Sequence, residues 1–273
     1  MAPLCPSRGE WTQDGDPGDE AQPFGLDAAR EEGVYDPAMN SDQISDNDYW
    51  IAPVQTAVHG TVRTEGSKSV AQRVLFNAVL ATGDSEVMGV PGNEDLDSFI
   101  TALRDLGCEI VGSAPGSLHI RGTGARLPSG DRNLDLGQNG TGMRFILALA
   151  ALRDGETSIK GPSHRPILPL IDALCDLGCQ VQCLEDRGGS SVRIRGGTVT
   201  GNKVAVKAAV SSQFTSALML LAPHLPQGLH IRLVGPISSR PYIDLTAAVL
   251  RAFGVTVRFI GREIIVEGGS ELR

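Results

Sequence analysis

The sequence predicts an α/β protein in which one βαβαββ unit occurs three times, with three buried parallel helices at its centre. Three observations predict this. Gly83, Gly155 and Gly228 each open a short apolar segment and lie 72 and then 73 residues apart. Ile100–Gly107 (ITALRDLG) recurs as Ile171–Gly178 (IDALCDLG) at an offset of 71, and Ala247–Gly254 (AAVLRAFG) follows after 76 more. Each glycine is preceded by a stretch that carries aliphatic residues around most of a helix circumference, the mark of a fully buried helix. Offsets that agree from separate landmarks are hard to obtain by chance.

Each copy follows one plan. The first copy opens on an apolar helix over Val70–Ala81, and a glycine then stops it before a short strand. A second helix places Phe99, Leu103 and Leu106 on one face and ends at Leu-Gly. Strands over Cys108–Val111 and Leu118–Arg121 complete the copy. The second copy repeats this with Met143–Leu152, Gln180–Cys183 and Ser191–Arg195, and the third with Phe214–Leu221, Thr256–Ile260 and Glu263–Glu267. Gly188-Gly189 and Gly196-Gly197 flank a strand rather than open a helix, so they read as hairpin turns and not as a dinucleotide fingerprint. The copies occupy approximately residues 67–139, 140–210 and 211–268.

Composition bounds the function. Hydrophobic residues make up 41% and aromatics only 4% of the 273 residues, so the core is aliphatic. No apolar run is long enough to span a bilayer, and the N-terminus lacks a signal-peptide layout. Five cysteines fit a reducing, cytoplasmic compartment better than a disulfide framework. Cys175, Cys179 and Cys183 recur every fourth residue across a helix stop with no histidine pair, and read as buried small hydrophobes rather than zinc ligands. The net charge of −8 suggests no anionic partner until it is divided. Residues 1–50 hold twelve acidic residues against Arg8 and Arg30, a balance of −10, and read as an acidic disordered extension. The remainder is left at +2.

The chemistry precedes the buried helices. Gly66-Ser67-Lys68-Ser69, Gly140-Thr141-Gly142 and Ser211-Ser212-Gln213 place small or hydroxyl-bearing residues at three helix N-termini. Free N–H groups and the positive dipole end make such a place an anion site. Plain capping by Ser and Thr is the alternative. Lys68, Arg73 and Arg144, however, lie in or beside these first turns, where cations oppose the dipole and call for an anion. Arg165-Pro166 and Arg240-Pro241, 75 residues apart, form a second constellation. A residue before proline is biased to extended backbone and away from the next helix, which projects each guanidinium for bidentate capture of phosphate or carboxylate.

Gly60-Thr-Val-Arg with Gly66-Ser-Lys-Ser-Val-Ala-Gln-Arg73, Leu136-Gly-Gln-Asn-Gly-Thr-Gly-Met-Arg144, Arg165-Pro-Ile, Ser211-Ser-Gln-Phe-Thr-Ser-Ala-Leu218 and Ser239-Arg-Pro-Tyr-Ile-Asp244 together resemble the 5-enolpyruvylshikimate-3-phosphate synthase family. A sister family that acts on UDP-N-acetylglucosamine shares the fold but not the Ser-Ser-Gln and Pro-Tyr-Ile-Asp signatures. The resemblance implies transfer of the enolpyruvyl group of phosphoenolpyruvate to shikimate 3-phosphate with release of phosphate, without metal or organic cofactor, nucleic acid or membrane. It implies that Lys68, Ser69, Arg73, Ser211, Ser212, Gln213, Ser239 and Tyr242 hold shikimate 3-phosphate. Lys68, Gly140, Arg165 and Gln213 would hold phosphoenolpyruvate, with Lys68 also catalytic. Glu65 and Gln138 stand where the family usually has Pro and Asn.

The family fold has two similar three-copy domains with the active site between them, and this sequence covers one. The segment 51–66 corresponds to the crossover toward the second domain, where the family's acid–base carboxylates lie. The expectation is binding with weak or no turnover from this chain alone, unless a second chain supplies the other half. A non-catalytic anion-binding module or a truncated gene product is the alternative.

Overall fold

In the computed structural model, described residues are 60–62, 64–163, 165–184, 191–197 and 199–273. The acidic extension, most of the crossover segment and Gly188-Gly189 lie outside them. The first copy begins with helix α1 (Lys68–Leu80), then β1 (Asp84–Val90), α2 (Glu94–Asp105), β2 (Glu109–Gly112) and β3 (Gly116–Arg121). The second runs β4 (Arg132–Asp135), α3 (Gly140–Ala150), β5 (Glu156–Lys160), α4 (Leu168–Asp176), β6 (Gln180–Cys183) and β7 (Ser191–Arg195). The third repeats that order as β8 (Lys203–Lys207), α5 (Ser212–Leu221), β9 (Leu229–Val234), α6 (Arg240–Ala252), β10 (Val257–Ile260) and β11 (Glu263–Val266).

The βαβαββ order therefore holds for the second and third copies. Among the described residues the first copy lacks the opening strand, and its sheet is β1-β3-β2. The other sheets are β4-β5-β7-β6 and β8-β9-β11-β10, in which only β4–β5 and β8–β9 are parallel pairs. Sheet pairing thus draws in β4 and β8 from ahead of the helix-based divisions at residues 140 and 211. Alternation explains the sheets: β9 buries Leu229, Ile231 and Leu233 and exposes the residues between.

Helices α1, α3 and α5 touch one another at the centre and are buried around nearly the whole circumference. The rings of Phe76 on α1 and Phe145 on α3 meet edge to face at 6.4 Å. The outer helices α2, α4 and α6 bury one stripe each, such as Leu96, Phe99, Ile100 and Leu103 on α2. Their C-termini differ. Arg104 of α2 donates to the carbonyls of Ile110 and Gly112 at 3.1 and 2.7 Å, pinning the following hairpin. Arg251 of α6 does the same to Val257 at 2.7 Å. Cys175 holds the corresponding place in α4 and is exposed, not buried as its spacing suggests, while Cys179 is buried and Cys183 half-buried. No described helix is long and apolar enough to cross a membrane.

Candidate functional site

The first turns of the central helices are built by short polar caps. Ser67 Oγ accepts from Val70 N at 3.4 Å, Asn139 Oδ1 from Gly142 N at 2.7 Å, and Ser211 Oγ from Gln213 N at 3.2 Å. Capping leaves other donors open. Among the described residues the backbone N–H groups of Lys68, Ser69, Thr141 and Ser212 meet no acceptor. Each is the kind of orphan that a helix N-terminus offers to an anion.

Side chains tie the three ends together. Gln72 Nε2 of α1 donates to Asn139 Oδ1 at 3.2 Å, and Asn139 Nδ2 donates to the Asp95 carbonyl at 2.5 Å and to Ser98 Oγ at 3.2 Å. Arg73 of α1 donates to Thr246 Oγ1 at 2.7 Å, Ser216 Oγ at 3.2 Å and the Ser69 carbonyl at 2.7 Å. Arg144 of α3 donates to Gln213 Oε1 at the head of α5, and to the carbonyls of Gly140 and Pro166 at 3.1 and 2.5 Å. An added Cβ at Gly140 would lie 3.2 Å from the Arg144 guanidinium and 3.3 Å from the Arg165 stem, so the glycine is what lets the two arginines flank this helix end.

The site residues read from sequence fall into three groups. Lys68, Ser69, Gly140, Arg165, Ser211 and Gln213 are exposed or half-buried at the helix ends. Ser239 and Tyr242 are exposed at the head of α6, where Ser239 takes a left-handed backbone at φ 55°, uncommon for a residue with a side chain. The Tyr242 ring lies 5.9 Å from the Arg73 guanidinium carbon, which joins this corner to α1. Ser212 is buried, and Arg73 lies beneath the surface at 1% exposure.

Two expectations about cations change. Lys68, Arg73 and Arg144 were expected to need an anion, yet protein groups already meet them. Lys68 Nζ lies 2.5 Å from the Asp95 carboxylate. Arg73 and Arg144 are held by neutral oxygens and by the Phe145 and Phe214 rings, each 5.2 Å away. Burial nevertheless pulls both guanidiniums down to about 10, with the neighbouring charge of Arg165 adding to the effect at Arg144. Arg240, expected to stay out of the helix, is instead the first residue of α6, with Pro241 tolerated in the first turn. It pairs with Asp244 at 2.9 Å and stacks 4.6 Å over Phe259. Arg165 behaves as expected: it precedes α4, and among the described residues its guanidinium has no hydrogen bond or ion pair.

Sequence reading passed over Asp95, Ser98, Gln72, Ser216 and Thr246. Asn139 directly ahead of Gly140 was a legible cap signal, but its second role as a donor to α2 was not. No group of three or more His, Cys, Asp or Glu among the described residues could hold a metal ion.

A family model described as EPSP synthase (3-phosphoshikimate 1-carboxyvinyltransferase) matches residues 53–273. The 3-phosphoshikimate 1-carboxyvinyltransferase of Bordetella pertussis is 37% identical over 218 residues, which are 77% of this chain and 49% of that protein. That of Sodalis glossinidius is 37% identical over 222 residues, 79% of this chain and 51% of that protein. A solved EPSP synthase from Acinetobacter baumannii superposes with a TM-score of 0.68 at 29% identity, covering 78% of this chain and 48% of the other. The chain spans about half the length of the relatives it matches.

Proposed function

The chain belongs to the EPSP synthase family, and from that premise we propose that it provides one half of a 3-phosphoshikimate 1-carboxyvinyltransferase, the half that binds both anionic substrates. The observation that carries this reading is the meeting of three helix N-termini, each with N–H groups unpaired among the described residues, around one cluster of cations.

In this reading Lys68, Ser69, Ser211, Ser212, Gln213, Ser239 and Tyr242 hold shikimate 3-phosphate. Arg73 supports that pocket from beneath through Ser69 and Tyr242. Lys68, Gly140, Arg165 and Gln213 hold phosphoenolpyruvate, with Arg165 as the open fork. The substrate 5-hydroxyl oxygen bonds to the vinyl carbon that carries the phosphate, its proton leaves, and a proton adds to the methylene carbon. The carbon–oxygen bond to phosphate then breaks, the new methyl group loses a proton, and the vinyl group reforms.

Those proton transfers need groups within hydrogen-bond reach. Lys68, beside Asp95, is the acid–base candidate among the described site residues. Further groups are expected from the half of the relatives' length that this chain does not span, on the same polypeptide or on a second chain. The work is cytoplasmic, and these 273 residues alone turn over weakly or not at all.

Shikimate 3-phosphate at about 100 times its dissociation constant would add about 2.7 kcal/mol of stability. A rise in melting temperature on adding it supports the reading, and no shift at saturation overturns it. Phosphate release at a rate normal for the family would overturn the expectation of weak turnover.

A further inference from the structure

We infer that Arg144 is a positioning residue: it locks the amide of Gln213 and the Arg165–Pro166 corner into one unit, so that a bound anion meets donors from both. The inference rests on the anion-site reading above. Arg144 stands in the second turn of α3 at 4% exposure, and no described carboxylate pairs with it. Its Nε is buried and has no partner among the described residues. A buried cation is ordinarily matched by an acid. Here the matching oxygens are neutral and come from three segments: Gln213 Oε1, the Gly140 carbonyl and the Pro166 carbonyl.

Two consequences follow for ligands. A glutamine amide has one accepting end and one donating end. Because Arg144 claims Oε1, the amide NH2 is the end left over, and among the described residues it has no partner. Gln213 is therefore set as a donor toward an anion, an orientation that its backbone alone does not fix. The bond to Pro166 also anchors the residue next to Arg165, whose guanidinium is unpaired among the described residues and whose stem lies against Gly140. Arg144 braces both arms while touching no ligand itself.

The test is calorimetric titration of shikimate 3-phosphate into the full chain and its variants. Arg144→Lys keeps the charge but loses the planar fork that reaches three acceptors, and is expected to weaken affinity about tenfold. Gln213→Ala is expected to weaken it by a similar factor. If Arg144 acts through Gln213, the double variant binds no more than about twofold worse than the weaker single variant. Losses that multiply to about a hundredfold overturn the inference.

Gln213→Glu supplies a second arm that does not depend on how the arginine variant folds. It keeps an acceptor for Arg144 and removes the donor, so the melting temperature should hold while affinity falls about tenfold. Unchanged affinity in that variant also overturns the inference. No binding by the unsubstituted chain would overturn the substrate reading, and this inference with it.

Discussion

The second and third copies share a plan and a motif, yet they spend the same arginine differently. Arg165 and Arg240 both precede proline at matching points, 75 residues apart. Arg240 is consumed by its own copy, by Asp244 four residues on and by the Phe259 ring. At the corresponding positions the second copy has Pro169 and Cys183, neither of which can hold a guanidinium as an ion pair or a stacked plane. Among the described residues Arg165 is left open, next to the repelling charge of Arg144. Matching sequence placement establishes where a side chain starts; the residues that could satisfy it decide whether it is available.

The largest expected effect breaks this pair apart. Arg165→Ala should weaken phosphoenolpyruvate binding about a hundredfold, a loss of about 2.7 kcal/mol for a charge-assisted fork. Arg240→Ala should leave binding within about twofold, because its charge is already taken. Calorimetric titration of the two variants side by side checks this, and equal losses would erase the distinction between the copies.

Next comes acid stability, where the third copy differs by one buried imidazole. His224 follows α5, the second copy has Ala151 at that point, and burial pushes the His224 pKa down from 6.5 to about 4. Between those values the unfolded chain binds a proton that the folded chain refuses. Stability therefore falls as pH drops from 6.5 to 4, by up to about 3 kcal/mol. His224→Ala should flatten that slope in urea melts taken across this range. An unchanged slope would show that His224 is not the source.

A graft sharpens the comparison further. Pro169→Asp places a carboxylate four residues after Arg165, as Asp244 stands after Arg240, in a first turn where acids are favoured. It should lower phosphoenolpyruvate affinity about tenfold by engaging the open fork. The smallest effect is at the far end of the outer helices. Cys175→Arg restores the hairpin pin that Arg104 and Arg251 supply and should add about 0.5 to 1 kcal/mol, read as a higher urea midpoint.

Much of the fold was legible because it rests on periodicity. The buried central helices, the Leu-Gly and Phe-Gly stops and the paired strands follow from apolar spacing and glycine placement, and their observed bounds differ mainly by a residue or two at the ends. The first strands of the second and third copies, β4 and β8, were less legible. Arg132–Asp135 is four residues long and pairs in parallel with a strand beyond a helix, so no local hairpin signal marks it. At the site, the helix ends were legible because caps are local. The satisfaction of Arg73 was not, since Ser216 and Thr246 lie 143 and 173 residues away. Arg240 was the exception: Asp244, the partner that takes its charge, stands one helical turn on in the sequence.

In the proposed function three helix ends and Arg165 form one anion site. Titration of phosphoenolpyruvate into the 273-residue chain, with inorganic phosphate as competitor, tests it most directly. Saturable binding at one ligand per chain is expected, displaced by phosphate and lost when Lys68 and Arg165 are both replaced by alanine. Binding that survives that double replacement, or no saturable heat from the unsubstituted chain, would contradict it.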